Sequence, residues 1–236
     1  MTQVRTIGSQ KVWFDETLVN DDIENIFDID YWEDKDCILG SALGRGTTWF
    51  VQTQFLPAAL RHYRRGGVLG KFVSDQYFFV GWQKSRSCQE FHLLNLLRSK
   101  GVNVPRPIAA RTIKNGLFYQ ADLLSEKIPN AQDLVAILEQ QSLASEVYYD
   151  IGIEIAKMHQ AQVNHTDLNI HNILLDSSKR VWIIDFDKCT RMASSTWKNG
   201  NLERLKRSFL KEKVKRSIHW EECEFQCLLD GYEASQ

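Results

Sequence analysis

Acidic and amide side chains in the second half of the chain are spaced as phosphoryl transfer to a hydroxyl group would require. Asp167 lies in the stretch 165–169, Asn172 follows it by five residues, and Asp185 follows it by eighteen. A carboxylate can orient or accept the proton of an attacking hydroxyl, while oxygen ligands hold Mg²⁺ against nucleotide phosphates. Because Mg²⁺ takes only one or two carboxylates, an amide and a carboxylate make a suitable pair. These three residues are therefore candidates for a phosphoryl-transfer site.

A β-hairpin is predicted to bring Asn172 and Asp185 together. Apolar runs at 173–175 and 181–184 flank a polar turn at 176–180, which is the pattern of two antiparallel strands. Asn172 precedes the first strand and Asp185 follows the returning strand, so the two side chains should be neighbours across the hairpin. Asp167 lies in the loop that follows a predicted helix.

The remaining elements predict an α+β protein. Short aromatic or β-branched runs predict strands at 47–52, 58–63 and 76–82. Apolar residues recur at helical spacing, which predicts helices at 87–98, 131–140, 143–161 and 201–230. Pro105 and Pro107 hold the chain extended between the two halves. We therefore predict a small strand-rich N-terminal lobe, residues 1–104, and a reduced helical C-terminal lobe, residues 105–236.

Composition excludes several classes of protein. The chain has 29 basic and 30 acidic residues, so its net charge gives no reason to expect a nucleic-acid partner. No apolar stretch is long enough to cross a membrane, and the first ten residues lack the apolar core of a signal peptide. The five cysteines show no metal-ligand spacing, which favours free thiols in a reducing cytoplasm.

Charge is nevertheless distributed unevenly along the chain. Residues 15–36 contain ten acidic residues and one basic residue, whereas residues 191–216 contain nine basic residues and two acidic ones. Each run can be a solvated face. The basic run can alternatively face an anionic substrate or the anionic inner leaflet of a membrane.

The stretch from His165 to Asp187 resembles the protein-kinase-like superfamily, whose catalytic loop reads H-R-D-L-x-x-x-N and whose metal loop reads D-F-G. The resemblance implies that Asp167 is the catalytic base, that Asn172 and Asp185 bind Mg²⁺, and that ATP is the phosphoryl donor. In the same comparison His165 is expected to pack and hydrogen-bond the backbone. Asp187 replaces the glycine of D-F-G and is a candidate for an extra metal ligand.

The resemblance also implies a nucleotide-binding part in the first half. Arg61 stands where the superfamily has a lysine on a strand, with Lys71 as the alternative, and Glu90 is its expected partner on a helix. Ser87 and Glu90 also have the spacing of a capping box, which is the structural alternative. Gly44 and Gly46 precede a strand and are expected either to approach nucleotide phosphates or to form a plain turn.

Departures from the protein-kinase pattern favour a small acceptor. Thr166 replaces the arginine that reads a phosphorylated activation loop, and no A-P-E sequence follows. Only 51 residues follow Asp185 (236 minus 185), which we expect to be too few for a lobe that grips a protein substrate.

Further segments resemble the 3-deoxy-D-manno-octulosonic acid (Kdo) kinases of the lipopolysaccharide kinase family, over about residues 44 to 209. These segments are 60–67, 90–97, 101–107, 167–176 and 185–189. The resemblance implies transfer of the ATP γ-phosphate to the 4-hydroxyl of a Kdo residue on a lipid A precursor. It implies a peripheral protein on the cytoplasmic side of the bacterial inner membrane, with His171, Lys206 and Arg207 as possible substrate or membrane contacts. No protein partner is predicted.

Three alternatives remain open from the residues. A related kinase could act on a heptose, choline or an aminoglycoside, although the basic segments disfavour a cationic acceptor. A metal-dependent phosphohydrolase could use the histidines and aspartates between residues 165 and 187 as ligands, but Asn172 does not fit that ligand set. A non-catalytic pseudokinase is suggested by Arg61 and Asp187 and disfavoured by the intact trio of Asp167, Asn172 and Asp185.

Overall fold

The computed structural model describes residues 1–19, 22–44, 46–65 and 75–235. They form two compact units. The first unit consists of Met1–Asn95 and Arg106–Lys127, and the second unit of Leu96–Pro105 and Ile128–Gln236. The predicted boundary after residue 104 does not coincide with this division, because the segment after Pro105 returns to the sheet of the first unit before the second unit continues. The predicted α+β class is confirmed.

The first unit is built on strands. They are β1 (Thr2–Ile7), β2 (Gln10–Asp15), β3 (Ile38–Leu43), β4 (Thr47–Gln52), β5 (Pro57–His62), β6 (Tyr77–Phe78), β7 (Pro107–Asn115) and β8 (Phe118–Glu126). The helices of this unit are the short α1 (Ile29–Glu33) and α2 (Arg86–Ser99), of which the residues up to Asn95 belong here. The predicted strand at 76–82 is shorter than expected, because Gly81 adopts a φ of 123° and a 3₁₀ turn, Trp82–Lys84, follows it.

The described strands of the first unit make one antiparallel sheet in the order β1-β2-β7-β8-β5-β4-β3, with β6 also paired to β8. Side chains alternate across a sheet, and one face carries the core. Val12, Val51, Leu60 and Leu124 pack there against the segment between β2 and β3, which contributes Trp32 among others. This sheet holds β5, and thus Arg61, in a fixed register between β4 and β8.

The second unit is mainly helical. Its elements are β9 (Gln132–Asp133), α3 (Leu134–Leu138), α4 (Ser145–Gln160), β10 (Val163–Asn164), β11 (Ile173–Leu175), β12 (Val181–Ile183), β13 (Thr190–Arg191), α5 (Trp197–Arg216) and α6 (Glu222–Ala234). The predicted β11–β12 hairpin is confirmed, with Ile173 opposite Ile183. The helix predicted over 201–230 is instead two helices, because Ser217 adopts a left-handed φ of 54° and ends α5.

Two glycines allow α4 and α6 to approach closely. A Cβ atom added at Gly152 on α4 would collide with the backbone carbonyl oxygen of Leu228 on α6. In the reverse direction, a Cβ atom at Gly231 on α6 would collide with the backbone oxygen of Tyr149 on α4. Because each glycine meets backbone rather than a movable side chain, neither position can accept a larger residue without separating the helices.

Buried polar groups join three helices of the second unit. His159 on α4 is fully buried, and its Nδ1 lies 2.8 Å from the Tyr232 hydroxyl oxygen on α6. Its Nε2 lies 3.3 Å from Asn201 Oδ1 on α5. Burial lowers the pKa of His159 to about 4, so the ring is neutral at pH 7.

None of the five cysteines forms a disulfide bond. Within the described residues, no helix combines the length and the hydrophobicity that crossing a bilayer requires.

Candidate active site

His165 anchors the loop that carries Asp167. Its ring is fully buried, its Nε2 donates to the Ile184 carbonyl oxygen at 3.0 Å, and its edge packs on Phe186 with centroids 4.8 Å apart. Burial lowers the pKa of His165, which favours the neutral ring. His165 thus links the loop that carries Asp167 to the end of β12, and its ring does not face solvent.

Asp167 presents its carboxylate outward while its backbone closes the loop. The side chain is 53% exposed. Its backbone carbonyl oxygen accepts from Asn169 Nδ2 at 2.8 Å and from Asn172 Nδ2 at 3.0 Å. These bonds fix the direction of the loop without occupying the carboxylate, which is the arrangement a general base needs.

The hairpin places the backbone of Asp185 next to that of Asn172, and the expected closeness of their side chains stays a prediction. The Ile184 amide donates to the Asn172 carbonyl oxygen at 3.0 Å, so Asp185 directly follows the residue paired with Asn172. Since Asn172 Nδ2 binds the loop backbone, its Oδ1 is the atom available to a metal ion. Asp185 has a left-handed φ of 63°, which is uncommon for a residue other than glycine and clusters at functional sites.

An amide oxygen and a carboxylate are ligand types that Mg²⁺ prefers, and Asn172 and Asp185 supply one of each. Within the described residues, no group of three or more His, Cys, Asp or Glu side chains is placed to hold a metal ion. Asp187 lies two residues beyond Asp185 in the turn closed by the Cys189 amide and the Phe186 carbonyl oxygen, and its role as a metal ligand stays a prediction.

The first unit contains the predicted pair of Arg61 and Glu90. Arg61 Nη2 on β5 lies 2.5 Å from Glu90 Oε1 on α2, and the Tyr63 hydroxyl donates to Glu90 Oε2 at 2.5 Å. Glu90 is only 4% exposed. The capping-box alternative is wrong, because Ser87 lies inside α2 and its hydroxyl donates to the Arg111 carbonyl oxygen. Lys71 lies outside the described residues.

Gly44 and Gly46 lie at the turn between β3 and β4. The Gly44 amide donates to the Gly46 carbonyl oxygen at 2.9 Å, and a Cβ atom at Gly46 would lie 2.8 Å from Arg64 Cδ. Arg45, between them, lies outside the described residues. The turn is therefore observed, and the approach of its backbone to phosphates stays a prediction.

The remaining candidates on and beside α5 already contact carboxylates. His171 Nε2 lies 3.5 Å from Glu212 Oε1 and its Nδ1 lies 3.8 Å from Asp133 Oδ1. Lys206 Nζ lies 2.5 Å from Glu222 Oε1, and Arg207 Nη1 lies 3.7 Å from Glu203 Oε2. Leu202, Leu205 and Phe209 on α5 are buried, whereas Leu210 and Val214 on the same helix are exposed. The three buried side chains therefore pack inside the protein and are not available to a membrane.

Sequence reasoning missed two side chains that touch candidate residues. Tyr63 binds Glu90, and it could have been found because it lies two residues after Arg61 and so on the same face of the chain. Arg204 Nη1 lies 3.6 Å from Asp167 Oδ1. It belongs to the basic run, but no local pattern distinguishes it from its neighbours.

Relatives of known name cover nearly the whole chain. The chain is 58% identical over 236 residues to a 3-deoxy-D-manno-octulosonic acid kinase of Vibrio vulnificus (strain YJ016), covering all of both chains. It is 60% identical over 220 residues to the enzyme of the same name from Vibrio cholerae, covering 93% of this chain and 94% of that one. A Haemophilus influenzae (strain 86-028NP) protein of that name is 47% identical over 214 residues, 87% of this chain and 89% of its own.

The fold is shared with a solved structure at lower identity. WaaP, determined in complex with acyl carrier protein, matches with a TM-score of 0.61 and 16% identity over 92% of this chain and 88% of that one. This likeness confirms the kinase-like fold. Residues 29–232 match the lipopolysaccharide kinase (Kdo/WaaP) family. With its hairpin-borne Asn172 and Asp185 beside the loop of Asp167, and with relatives that match along its full length, the chain belongs to the lipopolysaccharide kinase (Kdo/WaaP) family.

Proposed function

We propose that this protein transfers the γ-phosphoryl group of ATP to the 4-hydroxyl of a Kdo residue on a lipid A precursor. Membership in a kinase family implies ATP as the donor. The observation that carries the choice of acceptor is the 58% identity, over the full length of both chains, to a protein named as a Kdo kinase. The outward carboxylate of Asp167 supports a hydroxyl acceptor.

In this proposal, residues of the second unit have separate roles in phosphoryl transfer. Asp167 orients the acceptor hydroxyl and accepts its proton as the new O–P bond forms. Asn172 Oδ1 and the Asp185 carboxylate hold Mg²⁺, which neutralises charge on the nucleotide phosphates when it is bound. His165 keeps the loop and the end of β12 in register through its bond to the Ile184 carbonyl oxygen.

In the first unit, Arg61 is the candidate for the cation that binds nucleotide phosphates. The Arg61 side chain is 28% exposed and is ion-paired to buried Glu90, so the guanidinium is oriented before any ligand binds. A guanidinium can bridge two phosphate oxygens with parallel hydrogen bonds, unlike the point charge of an ammonium group.

We further propose that the protein works at the cytoplasmic side of the inner membrane, where a lipid A precursor would be anchored. Four of the described cations of the basic run, Lys206, Arg207, Lys213 and Arg216, are ion-paired with glutamates. Because Leu202, Leu205 and Phe209 of α5 are buried, we expect attraction to anionic headgroups to contribute more than insertion of apolar side chains.

The test is phosphorylation of Kdo-bearing lipid A precursor with ATP and Mg²⁺, followed by mass spectrometry and by NMR assignment of the modified hydroxyl. The expected product gains one phosphate on the Kdo sugar at position 4. A phosphate on a heptose-bearing acceptor but not on the Kdo acceptor would instead identify a kinase of another core sugar.

A further inference from the structure

Helix α5 follows the catalytic loop along its length. Asn201 Oδ1 accepts from the His165 amide at 3.2 Å, and its Nδ2 donates to Asn164 Oδ1 at 2.9 Å. Two turns later, Ser208 Oγ accepts from the Ile170 amide at 3.0 Å. One further turn on, Glu212 lies beside His171. Because these α5 residues recur at helical spacing, they lie on one face of the helix, and that face contacts the loop.

Arg204 belongs to the same face but differs in exposure. Asn201 and Glu212 are buried, at 6% and 2% exposure, and their polar groups are used within the fold. The side chain of Arg204 is 49% exposed, and it reaches the half-exposed carboxylate of Asp167. Asn201 and Glu212 therefore support the loop, whereas Arg204 presents a cation at the reacting group itself.

Arg204 contacts the side chain of Asp167, where the acceptor hydroxyl would bind if Asp167 is the base. Asn172, the candidate metal ligand, is bonded to the backbone oxygen of Asp167, whereas Arg204 meets the Oδ1 atom of its side chain. A base must lie within hydrogen-bond distance of the hydroxyl that it deprotonates. Substituents of the acceptor close to that hydroxyl are consequently within reach of the Arg204 guanidinium.

The loop that carries Asp167 supplies no fixed cation of its own for an anionic acceptor. Residues 165–172 include no lysine or arginine. His165 is buried, and His171 lies between the carboxylates of Asp133 and Glu212. Asp167, Asp185 and Asp187 lie on the loop and hairpin, so a carboxylate on the acceptor would meet like charges. A guanidinium binds a carboxylate through two parallel hydrogen bonds and retains its charge at all working pH values.

We propose that Arg204 binds the carboxylate of the acceptor sugar and so selects an acidic sugar over a neutral one. This inference rests on the proposed function, because a Kdo residue is an octulosonic acid and carries that carboxylate. In the absence of the acceptor, Arg204 contacts Asp167. When the acceptor binds, the acceptor carboxylate replaces Asp167 as the partner of the Arg204 guanidinium. The Asp167 carboxylate then contacts the acceptor hydroxyl.

The test compares Arg204→Gln with wild type on two acceptors, the Kdo-bearing precursor and the same compound with its Kdo carboxylate converted to a carboxamide. Loss of a charge-assisted pair should raise KM for the acidic acceptor by about 10- to 100-fold, with kcat changed by less than about 3-fold. The carboxamide should be phosphorylated with equal kcat/KM by the variant and by wild type. Arg204→Lys, which keeps the charge, should recover part of the loss.

Arg180→Gln is the matched control, because this exposed arginine lies in the turn of the β11–β12 hairpin of the same unit. It should leave both acceptors unaffected. A fall in kcat of equal size on both acceptors would overturn the inference. It would show that Arg204 acts on the side chain of Asp167 or on the transferred phosphate instead. An unchanged KM for the acidic acceptor would overturn it as well. Wild type that binds ATP but phosphorylates neither acceptor would refute the proposed function itself, and that result is visible without any variant.

Discussion

At the scale of single residues, the backbone and the side chain of Asp167 have separate tasks. The backbone oxygen accepts hydrogen bonds from the side-chain amides of Asn169 and Asn172, and the carboxylate faces outward. Replacing the carboxylate should therefore lower the rate of phosphoryl transfer without changing the conformation of the loop. The same separation holds for Asn172, whose Nδ2 is structural and whose Oδ1 is available to a ligand.

Asp167→Asn should lower kcat by about 10²- to 10⁴-fold, the usual contribution of a general base, with little change in nucleotide affinity. Asp185→Asn should instead weaken binding of the Mg²⁺–nucleotide complex. Single-turnover rates and titration with a fluorescent ATP analogue measure the two effects separately. If Asp167→Asn turned over at nearly the wild-type rate, Asp167 would not be the base.

Buried His159 makes the second unit sensitive to acid. Its folded pKa of about 4 lies below the ordinary value of 6.5, so the unfolded chain takes up a proton first as the pH falls. The stability that His159 contributes is complete above pH 6.5 and is lost progressively between pH 6.5 and 4, to a total of about 3 kcal/mol. His62 acts in the opposite sense, since its hydrogen bond to Asp122 raises its pKa and the stability it adds declines as the pH rises through that raised value.

The comparison of wild type with His159→Gln isolates this contribution. Urea unfolding followed by circular dichroism at pH 7, 6, 5 and 4.5 should show a shallower decline in the free energy of unfolding for the variant. Equal pH slopes for the two proteins would contradict the assignment, whatever their stability at pH 7.

At the scale of elements, the contact of α4 with α6 is determined by backbone rather than by side chains. Gly152→Ala should lower the free energy of unfolding by at least about 2 kcal/mol, because the added methyl group meets a carbonyl oxygen that cannot rotate away. Urea unfolding measures the loss. Gly200→Ala on α5 is the control, since its added Cβ meets open space and a helical alanine should stabilise by up to about 1 kcal/mol. Equal effects of both substitutions would show that the helices adjust freely.

The element scale also shows where sequence reasoning stops. The hairpin of β11 and β12 is predictable because its apolar runs and polar turn are contiguous in the chain, and it places Asp185 one residue beyond the partner of Asn172. The strands β7 and β8 were not predicted, although they pair with each other across the turn at 116–117 and Asn115-Gly116 is a local hairpin signal. Their outer partners β2 and β5 lie far away in sequence, and such pairing cannot be inferred from a local pattern. The contact between Arg204 and Asp167 was missed for the same reason, because it depends on how α5 packs against the loop.

At the scale of the whole molecule, the net charge is −1, yet α5 carries cations that could contact an anionic membrane surface. Among the described residues, Lys198, Lys211 and Lys215 have no acidic partner within 4 Å, unlike Lys206 and Arg207. We expect weak binding to vesicles that contain an anionic lipid, of about 1 kcal/mol for each cation near the surface.

Co-sedimentation with phosphatidylglycerol vesicles should show this binding at low salt and its loss at about 0.5 M salt, where charge is screened. Lys211→Glu combined with Lys215→Glu should abolish it. The charge-matched control, Lys84→Glu combined with Lys100→Glu, should not. Binding that survives high salt would point to an apolar contact instead.

Ten residues, 187–196, separate Phe186 from α5, and α5 then bonds directly to the loop of Asp167. Because α5 already holds this loop in place, we expect the protein to be active without covalent modification. We expect its output to follow the supply of acceptor and nucleotide, in proportion to enzyme abundance. The rate of phosphorylation would then be controlled by the delivery of the acceptor. An inhibitor would bind one conformation of this loop rather than select between active and inactive conformations.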